Sequence, residues 1–234
     1  MATLLSICQD VADRVNLARP TQITNGVNQF ARTVRGAAQR EGIALSRRWS
    51  WQALLREHTF TSTATTVQAG SIPSDWDGRM IQGTFWNRDA LRLVEGPLDS
   101  REWQSIQSGG VSAVTDAFRF RDRLIELVPT PAAGQTYAYE YISSHWCEDS
   151  AGDGQAAWAA DTDVPRLDTE LMTLGILWRF LQGRGLEFAA ALVDYEAEVM
   201  KAMSRDGSRR VISLSGMDRE GPRRPAVPEG SWSL

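Results

Sequence analysis

The sequence predicts an α+β fold: a helical bundle from N- and C-terminal helices, with an inserted antiparallel β-domain and an extended C-terminal tail. Two changes of periodicity support this prediction. Apolar residues recur at helical spacing up to the aromatic-rich segment 47–57, at strand spacing from His58, and at helical spacing again near Pro165. The third observation is the tail, whose prolines and alternating charges cannot build a core.

The expected organisation follows those changes. Residues 1–57 should supply the N-terminal helices of the bundle, 58–147 the β-rich inserted domain, 148–164 a loop, 165–206 the C-terminal helices and 207–234 the extended tail. With 234 residues, of which 42% are hydrophobic, the chain can form one domain or two closely packed ones.

Two helices are expected in the first part. One apolar stripe predicts a helix over residues 3–16 with Thr3 as its N-cap. A second stripe predicts a longer helix with Thr24 or Asn25 as its cap. Because the connection is short, these helices should pack antiparallel. The first stripe comprises Leu4, Cys8, Val11, Ala12 and Val15, and the second Val27, Phe30, Ala31, Val34, Ala38 and Leu45.

The middle part begins with signals of a hairpin and a short helix. Segments 80–87 and 91–94 flank Arg88 and Asp89, which predicts two paired strands. Asp99 and Glu102 then have the spacing of a capping box, which predicts that a helix begins there.

Further strands are expected at 118–121, 124–128 and 137–141, where aromatic residues alternate. We expect these aromatic side chains to line one sheet face and to pack a core. Stacking on nucleic-acid bases is the alternative, and the absence of basic residues beside the tyrosines disfavours it. The aromatic set is Phe118, Phe120, Tyr137, Tyr139 and Tyr141.

Helical spacing near the end of the chain predicts two more helices. Pro165 suits the first turn of one, and the glycines at 183–185 end it. The last helix is expected from Phe188 to a stop at Gly207. The N- and C-terminal helices should form one bundle, because a two-helix hairpin leaves part of each apolar stripe uncovered.

Three tryptophans are candidate packing residues. Trp178 is expected in the bundle core, where the N- and C-terminal helices meet. Trp49 and Trp51 precede the first strand, so at least one should be buried at the joint between bundle and sheet. Their alternate spacing would turn the other toward a different surface.

No residue pattern indicates a catalytic, cofactor or metal site. His58 and His145 do not have zinc-site spacing with Cys8 and Cys147. Residues 149–160 partly imitate a calcium loop but lack carboxylates at its third and twelfth positions. Both cysteines are expected to be free and buried. We therefore expect a protein that is not an enzyme and needs no cofactor.

The net charge is −4, and no basic face is evident before residue 205, which disfavours a grip on the DNA backbone. No segment resembles a signal peptide or a membrane span. The expectation is a protein made in the cytoplasm without membrane contact.

Eleven short stretches of the chain are similar to those of a known protein family. Among them are RWSWQAL at 48–54, LVPTPAAG at 127–134 and DTDVP at 161–165. The others lie at 4–8, 72–76, 86–88, 96–98, 102–104, 118–121, 139–143 and 174–179. In this order and spacing, over residues 2–206, the chain resembles the head-to-tail adaptor, or connector, proteins of tailed phages. That family includes tail tubular protein A of short-tailed phages.

The resemblance implies a structural protein of the virion that forms a ring, expected to be dodecameric, beneath the portal. Its implied partners are the portal protein, a tail nozzle or tail tube protein, and further copies of itself. Genome DNA would pass through the lumen without specific binding. The alternatives are a tail terminator or completion protein, a nucleic-acid-binding packaging component, and an enzyme such as a virion hydrolase.

The tail is basic on an otherwise acidic chain, so we expect it to be disordered in the free monomer and ordered on assembly. It would bind an acidic surface of the portal or of a neighbouring subunit, with one tryptophan as an apolar anchor. A solvated terminus without a role is the alternative. The candidate interface residues are Arg209, Arg210, Arg219, Arg223, Arg224 and Trp232.

Overall fold

The computed structural model describes residues 2–109 and 116–207. The bundle helices lie toward the two ends of this part of the chain, and short strands lie between them. The helices are α1 (Leu4–Arg14), α2 (Gln29–Arg48), α3 (Ser100–Gly109), α4 (Thr169–Gly183) and α5 (Ala189–Asp206). The strands are β1 (Leu55–Thr61), β2 (Val67–Gln68), β3 (Trp76–Met80), β4 (Trp86–Asn87), β5 (Arg92–Leu93), β6 (Ala117–Arg121), β7 (Leu124–Val128), β8 (Thr136–Ser143), β9 (Cys147–Glu148), β10 (Gly154–Gln155) and β11 (Val164–Pro165).

Helix α4 is the centre of the bundle, because α1, α2 and α5 all pack against it. Ile7 of α1, Val34 of α2, Ile176 of α4 and Val199 of α5 are fully buried in one cluster. The prediction that the N- and C-terminal helices form one bundle is thus confirmed. The expected pairing of α1 with α2 is corrected, since α4 is the main helix neighbour of both.

Two of the predicted helix starts need correction. Asn28 caps α2, with its side-chain oxygen 2.7 Å from the amide nitrogen of Ala31, so the cap is neither Thr24 nor Asn25. Val27 therefore lies outside the helix and is 81% exposed. Helix α4 begins after Asp168, whose carboxylate accepts hydrogen bonds from two amides of the first turn.

Four other helix ends agree with the sequence predictions. Thr3 caps α1, and the capping box before α3 is formed, because Asp99 and Glu102 each accept a hydrogen bond from the other's amide. Helix α5 follows Phe188 and ends at Gly207, as expected.

Two sheets face each other in the middle of the chain. The larger has the order β1-β8-β4-β5, with β3 also on β8, and the smaller has the order β2-β7-β6. All of these pairs are antiparallel. The predicted hairpin is present in shorter form as β4 and β5.

The predicted aromatic core is confirmed, but its residues come from two sheets and not from one face. Tyr137 and Tyr139 belong to β8, whereas Phe118 belongs to β6 in the facing sheet. Phe85 lies between them, with its ring centroid 4.9 Å from that of Phe118 and 5.5 Å from that of Tyr139. The aromatic residues are therefore the contact between the two sheets, which leaves their rings buried.

The segment expected to be a loop at 148–164 is part of a third, small sheet with the order β10-β9-β11. Pro165 lies in β11 opposite Cys147 and does not lie in the first turn of α4, which corrects that prediction. The segment also contributes Trp158, which is 4% exposed and packs edge-on against Trp146 in the bundle core. This pairing depends on residues far apart in the chain.

Candidate functional site

Among residues 2–109 and 116–207, no group of three His, Cys, Asp or Glu side chains is arranged to hold a metal ion. Cys8 and Cys147 are free and buried, as predicted. Burial raises the pKa of each thiol to about 12, so neither is a thiolate near neutral pH. These cysteines therefore have the properties of packing residues.

The joint between bundle and sheets is built around the end of α2. Trp51 is 5% exposed, and its indole nitrogen donates a hydrogen bond of 2.7 Å to the carbonyl of Leu45. Trp49 caps the same helix and is 37% exposed. The structure thus places Trp51 inside the bundle cluster and leaves part of Trp49 accessible.

Arg79 of β3 connects the larger sheet to that helix end. Its guanidinium donates to the carbonyl of Ser46 at 2.9 Å and to the carbonyl of Trp49 at 3.1 Å. Asp77 pairs with the same guanidinium and so holds it in place. Because the last carbonyls of a helix lack intrahelical partners, a cation here both satisfies them and interacts favourably with the helix dipole.

No pattern in the sequence marked Arg79 as a residue of the joint between sheet and bundle. A basic residue on a strand is a common surface feature, and its contact with α2 depends on how the sheet sits on the bundle. A second unanticipated contact lies nearby: the carboxylate of Asp206, at the end of α5, accepts a hydrogen bond of 3.1 Å from the amide of Gln52. The first contact holds β3 against the bundle, and the second holds the turn before β1 there.

A buried polar network lies between α2, α4 and α5. Glu41 is fully buried, and its carboxylate accepts a hydrogen bond of 2.6 Å from Arg179 and another of 2.6 Å from the hydroxyl of Tyr195. Gly175 makes room for it, because a Cβ there would lie 2.2 Å from the carboxyl carbon of Glu41. Burial is the main cause of the raised pKa of Tyr195, so its hydroxyl stays protonated as a donor.

Trp178 lies beside this network and is half-buried. Its ring faces Tyr195 and Phe188, and the guanidinium of Arg179 lies 4.4 Å from the ring centroid. The indole nitrogen is buried without a hydrogen-bond partner among the described residues. The structure thus places Trp178 at the contact of α4 with α5, beside a groove that Arg47 and Arg48 also line.

The segment after β10 holds the beginning of α1. The backbone carbonyls of Asp163 and Asp161 accept hydrogen bonds from the amides of Leu4 and Leu5. The carboxylate of Asp161 accepts from the amides of Ile23 and Thr24 at 3.1 and 2.7 Å. Burial alone would raise the pKa of Asp161, but these hydrogen bonds outweigh it and hold the pKa below its ordinary value of 3.8.

The arginines proposed for the interface, Arg209, Arg210, Arg219, Arg223 and Arg224, lie outside the described residues, as does Trp232. No helix in the described parts of the chain is both long enough and apolar enough to span a bilayer.

The described residues thus form a helical bundle joined to a sheet domain, with no metal cluster in the described regions. The model of one family, described as SU10 adaptor protein, matches residues 2–225. The chain belongs to the SU10 adaptor protein family. It is thus a phage adaptor protein, a structural component of the virion. No curated protein matches the chain.

The family match extends beyond residue 206, where the sequence resemblance ended. It includes the five arginines of the candidate interface but not Trp232.

Proposed function

We propose that this adaptor joins the portal of a tailed phage to its tail or nozzle, as a dodecameric ring that continues the DNA channel. The observation that carries the proposal is the match to an adaptor family over residues 2–225. The order of the stretches that resemble the head-to-tail adaptor proteins of tailed phages supports the same position in the virion. Genome DNA passes through the lumen without specific binding.

The structure is consistent with a mechanical role, because its parts are held together as one body. Arg79 ties the larger sheet to α2, and Asp206 ties Gln52, in the turn before β1, to α5. The buried Glu41 network joins α2, α4 and α5. Since interfaces on the bundle and on the sheets are then at fixed positions, a ring of such subunits can present one surface to the portal and another to the tail.

The tail from Ser208 to Leu234 supplies the attachment to the portal or to a neighbouring subunit in this proposal. Its arginines would pair with an acidic surface through charge-assisted hydrogen bonds, and Trp232 would be an apolar anchor. Trp49, partly exposed at the joint, would face the neighbouring subunit.

Electron microscopy of the purified protein mixed with its portal tests the proposal. We expect rings stacked coaxially on portal particles. Protein that never associates with portal, at low or physiological salt, would overturn it. An electrophoretic shift assay at physiological salt distinguishes the nucleic-acid-binding alternative, for which a stable complex with DNA fragments is expected.

A further inference from the structure

Helix α5 has an apolar face that points away from the bundle. Ala190, Val193, Ala197 and Met200 recur at intervals of three and four residues and are all exposed. We call these four residues the α5 outer stripe. Val193 is 66% exposed and Met200 is 68% exposed. Leu186, in the connection before the helix, continues the same spacing and is 52% exposed.

The opposite face of α5 is already occupied. Tyr195, Val199 and Ala202 are buried against the rest of the bundle. A surface helix normally has one apolar face and one polar face, whereas a helix that is apolar on both sides is usually buried on both. The spacing of three and four residues is also the spacing at which helices pack on one another. The stripe therefore has the pattern of a helix–helix contact that the single chain leaves unfilled.

A complementary surface exists on α2 of the same chain. Arg32, Arg40 and Arg47 are exposed, and none has a carboxylate oxygen within 4 Å among the described residues. Gly36 lies on the same side, and a Cβ placed there would meet nothing within 4 Å. This face, which we call the α2 arginine face, offers cations around a position where another helix can approach closely.

One unpaired charge beside the stripe has the opposite sign. Asp194 follows Val193 directly, is exposed, and has no cationic partner among the described residues. Glu198 lies one turn further along α5 and is bound by Lys201 and Arg205 of the same helix. Asp194 is thus the carboxylate beside the stripe that is open to a cation from another molecule.

We propose that the α5 outer stripe of one copy packs on the α2 arginine face of a second copy of this chain. The proposal deepens the ring of the proposed function and rests on it. The two faces are different surfaces of the chain, so the contact is heterologous, and a heterologous contact that closes repeats around a ring. Burial of Val193 and Met200 contributes the affinity, and pairing of Asp194 with the arginines fixes the orientation.

The apolar part is tested with Val193→Ser combined with Met200→Ser, which adds no charge opposite the arginine face. Loss of two apolar contacts should weaken self-association by at least about a hundredfold, since each buried side chain contributes more than about 1.4 kcal/mol, a tenfold change. Leu91→Ser is the matched control, because Leu91 is 80% exposed on the sheet side of the molecule. Sedimentation velocity over a concentration series measures the association, and circular dichroism verifies that each variant is folded.

The charge part is tested with two variants that should fail alone and assemble together. Asp194→Arg places like charges opposite the arginine face, and Arg40→Glu with Arg47→Glu places like charges opposite Asp194. In an equimolar mixture, copies can alternate so that every contact joins opposite charges. We expect each variant alone to lose association and the mixture to regain it, most clearly at low salt.

Several outcomes would overturn the inference. They are a double serine variant that associates like wild type, a mixture that stays dissociated, and a wild type that remains monomeric at all concentrations. If the variant with Arg40→Glu and Arg47→Glu lost DNA binding but kept self-association, the arginine face would be a nucleic-acid-binding surface instead. Portal binding is measured separately, so failure of this contact is distinguishable from failure of the adaptor role.

Discussion

Arg79 donates a hydrogen bond of 2.9 Å to the backbone carbonyl of Ser46, and this contact joins a strand of the larger sheet to the end of helix α2. The residues are 33 positions apart in the chain. This hydrogen bond sets the orientation of the sheet on the bundle.

Arg79→Ala should lower the free energy of unfolding by about 1–3 kcal/mol, because carbonyls at the end of α2 lose a charged donor. Urea denaturation followed by tryptophan fluorescence measures this change. Arg92→Ala is the control, since Arg92 is exposed on β5 and forms no ion pair among the described residues. A loss no larger than that of the control would mean that Arg79 does not stabilise the joint.

Trp178→Phe and Trp51→Phe should lower the free energy of unfolding by different amounts. The indole nitrogen of Trp178 is buried without a partner, so its removal relieves an unfavourable burial. The indole nitrogen of Trp51 donates to Leu45, and its removal leaves that carbonyl without this donor. We expect Trp51→Phe to cost about 1–3 kcal/mol more than Trp178→Phe in chemical denaturation. Equal costs would contradict the assigned hydrogen bonding.

Trp178→Ala should lower the free energy of unfolding by less than the roughly 3–5 kcal/mol typical of a fully buried tryptophan. The reason is that Trp178 is only half-buried. A value of about 2–3 kcal/mol is expected from thermal or urea unfolding. A loss below about 1 kcal/mol would show that this side chain does not help to hold the bundle together.

Glu41→Ala should be more damaging than removal of an exposed carboxylate, since it leaves the guanidinium of Arg179 without its buried partner. Breaking a buried pair in this way typically costs about 3–5 kcal/mol. Glu57→Ala is the control, because its ion pair with Arg88 is about half exposed and should contribute about 0–1 kcal/mol. Similar melting temperatures for the two variants would contradict the prediction.

Asp161→Asn tests the pH dependence of the contact between the 148–164 segment and the residues after α1. The folded pKa of Asp161 lies below its ordinary value of 3.8, so the carboxylate stabilises the fold above that value. This contribution is lost as the pH falls through the folded pKa. We expect the wild type to exceed the variant in stability at pH 6, and the difference to shrink below about pH 4. A difference that is independent of pH would exclude this role.

Deletion of residues 208–234 should leave the melting temperature nearly unchanged and weaken attachment to the portal. The weakening should be larger at low salt, because screening already reduces the contribution of the arginines at high salt. Pull-down with portal across a salt series measures it. A truncated protein that binds portal with full affinity would remove the tail from the attachment.

Local signals in the sequence predicted the elements that depend on neighbouring residues. The capping box of Asp99 and Glu102 and the alternation of Tyr137 and Tyr139 are complete within a few positions, so they marked a helix start and a strand correctly. The return of helical spacing likewise predicted α4 and α5, because each helix presents its own apolar stripe to the core.

The sequence did not predict the features that depend on contacts between distant residues. Pro165 has the conformation and position typical of a helix start, but pairing with Cys147 draws it into a strand. The segment at 148–164 is rich in small residues and predicted a loop, yet Trp158 within it is buried against Trp146. Arg79 could not be selected from the chain's many arginines, because its partners are carbonyls whose availability depends on where α2 ends.

The register of β1 on β8 has a consequence for how the protein could change over evolution. Leu55 and Ile142 are opposite each other in that register, so the chain enters and leaves the sheet domain at adjacent positions. Both side chains pack with the bundle cluster, so the bundle itself covers this base. A segment with such closely spaced ends can change in length without separating the helices. The residues between Leu55 and Ile142 thus form one inserted unit, whose distal turns can vary in length while the contact of Arg79 with α2 is kept.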